Sequence, residues 1–415
     1  MKQKLMFFYL NTGGGHRSCA RSAAEYITKH HPGTEVVLVD GLEDSPRIKK
    51  FIFEDSYRLS QNYAEWAFEL TFDLASVPQV WKRTITLVKL MLEDYVEKRI
   101  LQDRPDKIVL FHCFFIKPVE EILKKHGLKT PVIVYVTDPH SPPIQWFVSK
   151  TVNYILASED AKQTAIKNGT PKSRCVIFPY IINDKYSKRL SVSEVEGLKK
   201  KMGYPSGKKV VLIVGGGDGI PKGFSIISSL LRKKLDAEIA LVCGKNKQLR
   251  KLAELLAKRY KNLHVYGFVD FVYELINISD VVITKCGASM FMEIILQGKI
   301  PIINSYLGGQ EVGNKDFVVD NKLGFYEPKV SRLVPLIRRI FSNAEFRESI
   351  MKNQEIQHFR NGTAEVAEYI YSFQPDILEV IRLNPPKRKS LMKRAWNLIR
   401  PVRRPRKVKL QNSNL

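Results

Sequence analysis

Residues 4–18 read KLMFFYLNTGGGHRS. An apolar, aromatic run short enough for a strand ends in Asn11-Thr12-Gly13-Gly14-Gly15-His16, and an amphipathic helix over residues 18–29 follows at once. Glycines at a strand-to-helix turn permit positive φ and close backbone approach, and the start of a helix aims N–H donors at a ligand. A histidine on such a turn sits where a substrate hydroxyl can lose its proton, because its ordinary pKa lies near neutrality. The same residues also describe a tight turn carrying an exposed histidine.

Working outward, EVVLVD, KIVLFH, VIVYVTD and YILAS alternate with helix-length segments, the mark of a parallel sheet with helices on both faces. The second half repeats the design with KVVLIVGGG, AEIALVCG, NLHVYGF, DVVITK and IPIINS. The expected fold class is therefore α/β, two Rossmann-like doubly wound domains facing a cleft, plus a basic C-terminal tail. The polar stretch 183–209, with its turn-like YPSGKK, separates the two strand series. Expected bounds are 1–185 for the first domain, 206–373 for the second and 374–415 for the tail. A helical insert at about 47–101, carrying Trp66, Phe68, Phe72, Trp81, Leu87, Met91 and Leu92, interrupts the first, acceptor-side domain and is expected to face the membrane.

A chain of 415 residues, 44% apolar, exceeds what one core usually organises. Its five cysteines, Cys19, Cys113, Cys175, Cys243 and Cys286, show no metal-type or disulfide spacing and suit a reducing compartment. Without a signal-like start or a run of about 18 apolar residues, the expected location is cytoplasmic, in solution or peripheral to a membrane. The net charge is +25, and eleven Lys/Arg with no acidic residue lie within 387–409, so the remainder still carries +14. Such charge attracts any polyanion, an anionic membrane surface included. No stacking module or DNA-reading motif accompanies it, so nucleic acid is not an expected partner.

Three further motifs fall at strand ends. Gly215-Gly216-Gly217-Asp218-Gly219 occupies the second domain's equivalent of the first glycine turn. Neither turn is a GxGxxG with a ribose-binding acid or a Walker loop, which argues against nicotinamide and ATP. After DVVITK, Gly287-Ala288-Ser289 opens a helix with Glu293 one turn in. Amides at a helix start suit a pyrophosphate, and a carboxylate one turn later can accept from both hydroxyls of a ribose, although it would serve equally as an ordinary acidic residue near a helix start. The loop from Gly308 to Asn314, GGQEVGN, gathers amide and carboxylate groups that suit sugar hydroxyls; by composition it also passes for a surface loop.

The chain resembles the family of monogalactosyldiacylglycerol synthases and processive diacylglycerol glucosyltransferases, which have the GT-B fold and are related to the GlcNAc transferase of peptidoglycan lipid synthesis. The residues that carry the resemblance are, in order, TGGGHRS at 12–18, VTD at 136–138 with Trp146 beyond, GGGDG at 215–219, VCGKNKQLR at 242–250, GFV at 267–269, ITKCG at 283–287, GQEVGN at 309–314 and VVDNKLG at 318–324. The resemblance implies that His16 is the acceptor base, with Asp138 beside it and Gly14, Gly15 and Trp146 on the acceptor side. It implies that Gly216, Gly217, Phe268, Lys285, Gly287 and Ser289 line the nucleotide cleft, that Glu293 binds the ribose, and that Gln310, Glu311 and Asn314 hold the donor sugar. The implied reaction moves a hexose from a UDP-sugar to a membrane lipid, diacylglycerol in this family, by inverting displacement without a metal or other cofactor; no DxD metal motif stands in a suitable loop. Departures from the family pattern are Pro143 where it has a histidine, with His140 displaced, Met290 in place of a phosphate-turn threonine, and Phe178-Pro179-Tyr180-Ile181-Ile182 without its usual arginine.

Two other functions suit the same twin-domain cleft: a UDP-sugar epimerase or a transferase to another acceptor, and a non-catalytic nucleotide-sugar-binding protein. Within 390–402, Leu391, Met392, Trp396, Leu398, Ile399 and Val402 are interleaved with Lys393, Arg394 and Arg400. That pattern predicts a short interfacial helix on an anionic bilayer.

Overall fold

The continuous β-branched runs read above form strands buried on both faces, as a parallel sheet with helices on either side requires. The computed structural model describes residues 3–11, 14–43, 78–217 and 219–375, with the backbone alone at 78, 79, 81 and 82. Trp66, Phe68, Phe72, the Trp81 side chain, Thr12, Gly13, Asp218 and the basic segment 387–409 lie outside the described residues.

The first half runs β1 (Lys4–Tyr9), α1 (Gly15–His30), β2 (Glu35–Asp40), α2 (Pro78–Asp103), β3 (Lys107–Leu110), α3 (Ile116–Lys125), β4 (Val132–Tyr135), β5 (Asn153–Leu156), α4 (Glu159–Lys167) and β6 (Cys175–Ile177). Helix α5 (Val192–Lys201) leads to the second half, its start fixed by a reciprocal capping box between Ser191 and Glu194. There follow β7 (Val210–Val214), α6 (Gly223–Arg232), β8 (Glu238–Val242), α7 (Lys247–Arg259), β9 (Leu263–Tyr266), α8 (Val272–Ile278), β10 (Val281–Lys285), α9 (Ala288–Leu296), β11 (Ile300–Ser305), α10 (Val312–Asp320) and β12 (Phe325–Tyr326). Helices α11 (Val330–Ser342), α12 (Ala344–Ile356) and α13 (Thr363–Ser372) complete the described chain.

Both sheets are parallel and six-stranded, in the orders β2-β1-β3-β4-β5-β6 and β12-β11-β10-β7-β8-β9. In each the chain reverses its direction of travel beside the first strand, between β1 and β3 and between β7 and β10. Open α/β sheets bind ligands in the crevice at such reversals, beyond the strands' carboxyl ends. Each sheet has its own apolar core: Met6, Phe8, Ile108 and Val134 belong to one, Val211, Ile213, Ile239 and Ile283 to the other.

Residues 1–372 form one compact unit, and 373–415 a second, of which only the first three residues are described. Within the first unit the chain crosses back: α13 packs on α1, and the Lys107 ammonium donates to the carbonyls of Ile370 and Tyr371 at the end of α13. In α2, Leu92, Val96 and Ile100 are buried against the first sheet, whereas Leu87 and Leu90 are exposed. No helix among the described residues is long and apolar enough to cross a membrane.

Candidate functional site

The two chain reversals face one another across a cleft of about 250 Å³. From the first half come Gly14, Gly15, His16, Ser18, Thr137, Asp138 and Tyr180; the second contributes the turn Gly215, Gly216 and Gly217, then Lys285, the start of α9 at Gly287, Ala288, Ser289 and Met290, then Glu293, Gln310, Glu311 and Asn314. Gly14 caps α1 at φ 82°, a conformation that glycine adopts without strain, and no side chain occupies that cap. The first amides of α1 and the His16 ring are thereby brought to the cleft.

His16 is buried, and loss of solvent lowers its pKa to about 4. Its Nδ1 lies 2.7 Å from the Phe111 carbonyl oxygen and 2.8 Å from Thr137 Oγ1. The carbonyl can only accept, so Nδ1 carries the proton and Nε2 keeps its lone pair. The ring is a neutral acceptor at physiological pH. Beside it His112, also buried, packs at 4.6 Å between ring centroids, and desolvation depresses its basicity further.

Asp138 is buried, and desolvation raises its carboxyl to about 6. One oxygen accepts from Trp146 Nε1 at 2.6 Å and the other from Gln310 Nε2 at 3.2 Å. Trp146, grouped by the resemblance with the acceptor side, is turned inward and supports Asp138 from behind. Phe268 is 67% exposed at the cleft's margin, beside Gly217, with the Lys245 ammonium 5.8 Å from its ring.

Opposite His16, Gly287 caps α9 without a side-chain hydrogen bond, which leaves the N–H groups of the first turn, at residues lining the cleft, for a ligand. Glu293 is buried; desolvation raises it to about 7, opposed by a hydrogen bond from the Tyr186 hydroxyl and by the charge of Lys185. Glu311 is raised by burial and drawn back by the charge of Lys285, while its Oε2 accepts from Leu307 N at 2.9 Å. Asn314 donates to the Cys286 carbonyl at 3.2 Å, and its buried Oδ1 has no protein partner. Among the described residues no cluster of three His, Cys, Asp or Glu could hold a metal ion.

The halves also meet through Ser141, Tyr180 and His140, to none of which the sequence motifs gave a role. Ser141 Oγ donates to the Gln310 carbonyl and accepts from Gly313 N, at 3.2 and 2.9 Å. Tyr180 donates to the Thr137 carbonyl at 3.2 Å and lies 3.4 Å from Ser289 Oγ. His140 stacks on Phe317 of α10, 3.8 Å between centroids. Thr137 and His112 each stand two positions past the last residue of their strands, β4 and β3, so attention to strand ends would have found both.

Residues 16–179 match the family described as monogalactosyldiacylglycerol (MGDG) synthase, and residues 210–367 match the glycosyltransferase family 28 C-terminal domain. The chain thus joins an MGDG-synthase-type domain to a glycosyltransferase family 28 C-terminal domain. Among its relatives is a probable monogalactosyldiacylglycerol synthase, chloroplastic, of Glycine max, 23% identical over 92% of this chain and 72% of the relative. Another is a processive diacylglycerol beta-glucosyltransferase of Bacillus pumilus, 24% identical over 91% of this chain and 96% of its own length. The crystal structure of Anabaena HepE in complex with UDP-glucose superimposes with a TM-score of 0.56 at 15% identity, covering 89% of this chain and 98% of that one. The glycosyltransferase thus has the GT-B fold expected from its sequence, and it is a hexosyltransferase. The pairing of the two domain types favours transfer over the epimerase and binding-protein alternatives.

Proposed function

We propose that this glycosyltransferase moves a hexose from a UDP-sugar to diacylglycerol or a related membrane lipid, by inverting displacement without a metal, while peripherally attached to the cytoplasmic face of a membrane. The observation that carries the reading is the opposition, across one cleft, of a neutral His16 with its Nε2 lone pair kept free of the Nδ1 contacts and an uncapped helix start with Glu293 one turn in.

In this mechanism the acceptor hydroxyl gives its proton to His16 as its oxygen attacks the anomeric carbon, with Asp138 near the acceptor side. The bond to UDP breaks on the opposite face, which inverts the configuration. The α9 amides and Lys285 offset the charge growing on the pyrophosphate. Glu293 accepts from the ribose hydroxyls, and Gln310, Glu311 and Asn314 bind the sugar. Gly216, Gly217 and Phe268 border the nucleotide, and Gly14 and Gly15 border the acceptor. The relatives' named activities support the lipid acceptor.

The test is incubation of purified protein with radiolabelled UDP-glucose, UDP-galactose and UDP-glucuronate on diacylglycerol-containing vesicles, with identification of the lipid products. A labelled glycolipid is the expected outcome. Turnover of every donor without transfer to lipid would refute the reading.

A further inference from the structure

We propose that Thr137 is a positioning residue: with the Phe111 carbonyl, its hydroxyl holds the His16 imidazole in the tautomer and orientation in which Nε2 takes a proton. The inference rests on the reading of His16 as the acceptor base. Both contacts are to Nδ1, at 2.7 Å from Phe111 O and 2.8 Å from Thr137 Oγ1, and they arrive from the ends of the neighbouring strands β3 and β4. Each is itself fixed. Phe111 N donates to the Phe8 carbonyl at 2.9 Å, and the Thr137 carbonyl accepts from the Tyr180 hydroxyl at 3.2 Å. The ring therefore sits between two anchored acceptors and shares one proton with both.

The arrangement matters most after the proton has moved. When Nε2 is protonated the ring becomes a cation, its Nδ1–H becomes a stronger donor, and both bonds become charge-assisted. A hydroxyl and a carbonyl here do what a carboxylate does behind the histidine of a hydrolase triad: they fix the tautomer and stabilise the imidazolium. His112 fits the same arrangement. Its Nδ1 accepts from Phe114 N at 3.2 Å, so its proton is on Nε2, and burial keeps it uncharged, so that no cation stands beside His16 to oppose protonation.

The experiment uses the full chain, a UDP-sugar and diacylglycerol vesicles, and compares Thr137→Val, Thr137→Ser, His16→Ala and the His16→Ala/Thr137→Val double variant. Thr137→Val should lower kcat about tenfold, as expected for loss of a hydrogen bond to a charged group, with donor KM nearly unchanged, and Thr137→Ser should restore it. In the His16→Ala background Thr137→Val should have no further effect, because its influence passes through the ring. Nitrogen NMR of histidine-labelled wild-type protein should find the His16 proton on Nδ1. Wild-type kcat in Thr137→Val, the same loss on adding it to His16→Ala, or a proton on Nε2 would each overturn the positioning role. Full turnover by His16→Ala would instead sink the base reading.

Discussion

Gln310 reaches across the cleft from the second half to donate its side-chain amide to Asp138 of the first, at 3.2 Å. Trp146 holds the other carboxylate oxygen at 2.6 Å, so each oxygen of this buried group is engaged by a different half of the molecule. The loop proposed to hold the donor sugar is thereby tied to the acceptor side before any ligand arrives.

Gln310 and Glu293 should therefore report on different parts of one ligand. Gln310→Ala is expected to weaken the sugar nucleotide and leave UDP affinity unchanged. Glu293→Ala should weaken UDP and UDP-sugar alike, by about 1–3 kcal/mol for a charge-assisted pair. Calorimetry with both ligands separates the two, and unchanged UDP-sugar affinity in both variants would remove these residues from the donor site.

Glu293 also predicts a pH dependence with a definite sign. Burial raises its pKa from the ordinary 4.5 to about 7. In the free protein its ionisation thus costs stability as pH rises from 4.5 through 7. Ribose hydroxyls donate to the carboxylate and favour its charged form. UDP binding should accordingly release protons near pH 7, tighten as pH rises from about 6 to 8, and level off above. Titrations in buffers of different ionisation enthalpy count those protons; Glu293→Gln should abolish their release, and a variant that still released them would place the titrating group elsewhere.

The features legible in the sequence are those set within one segment. VVLIV, apolar, β-branched and bounded by turn residues, suits a strand covered on both faces, and the glycine turns mark where backbone approaches a ligand; β7 stands where that pattern puts it, and Gly14, Gly15, Gly215, Gly216 and Gly217 line the cleft. What motif reading missed depends on strand order and rotamer. His16, the adjacent Phe111 and His112, and Thr137 come from three separate segments and meet because β1, β3 and β4 are neighbours. Trp146 could turn toward the cleft or behind Asp138, and its indole N–H finds its partner behind.

The return of the chain to the first half rests on a close approach at Gly362. A Cβ there would lie 1.9 Å from the Pro179 carbonyl oxygen, while Gly362 N donates to the Tyr180 carbonyl at 2.9 Å. Gly362→Ala should therefore destabilise by about 1–3 kcal/mol through overpacking. Gly197, inside α5 with open space around it, is the control: its replacement by Ala should stabilise by up to about 1 kcal/mol. Urea unfolding measures both, and an unaffected Gly362→Ala would show that the crossing yields at little cost.

His16→Ala should cut turnover by about 10² to 10⁴ while UDP binding survives, because the ring is proposed to act on the acceptor. With His16 at about 4, activity should not lose this base by protonation until pH falls toward that value. Single-turnover assays across pH, with UDP binding measured in parallel, check both statements. Near wild-type turnover in the variant would rule out the role.

The proposed acceptor lies in a membrane, and the residues suited to meet an anionic surface are concentrated in 387–409, outside the described residues. Eleven Lys/Arg with no acid in that stretch should each contribute about 1 kcal/mol near an anionic bilayer, and the interleaved Trp396, Leu398 and Ile399 add apolar area for the headgroup region. Deleting residues 387–415 should weaken sedimentation with anionic vesicles, most at low salt where screening is least, and change binding to neutral vesicles little. Donor hydrolysis, which needs no membrane, should be unaffected. Truncated and full-length proteins that bound anionic vesicles equally would remove the tail from the mechanism and leave the surface of the first half, with Leu87 and Leu90 exposed on α2, as the part that meets lipid.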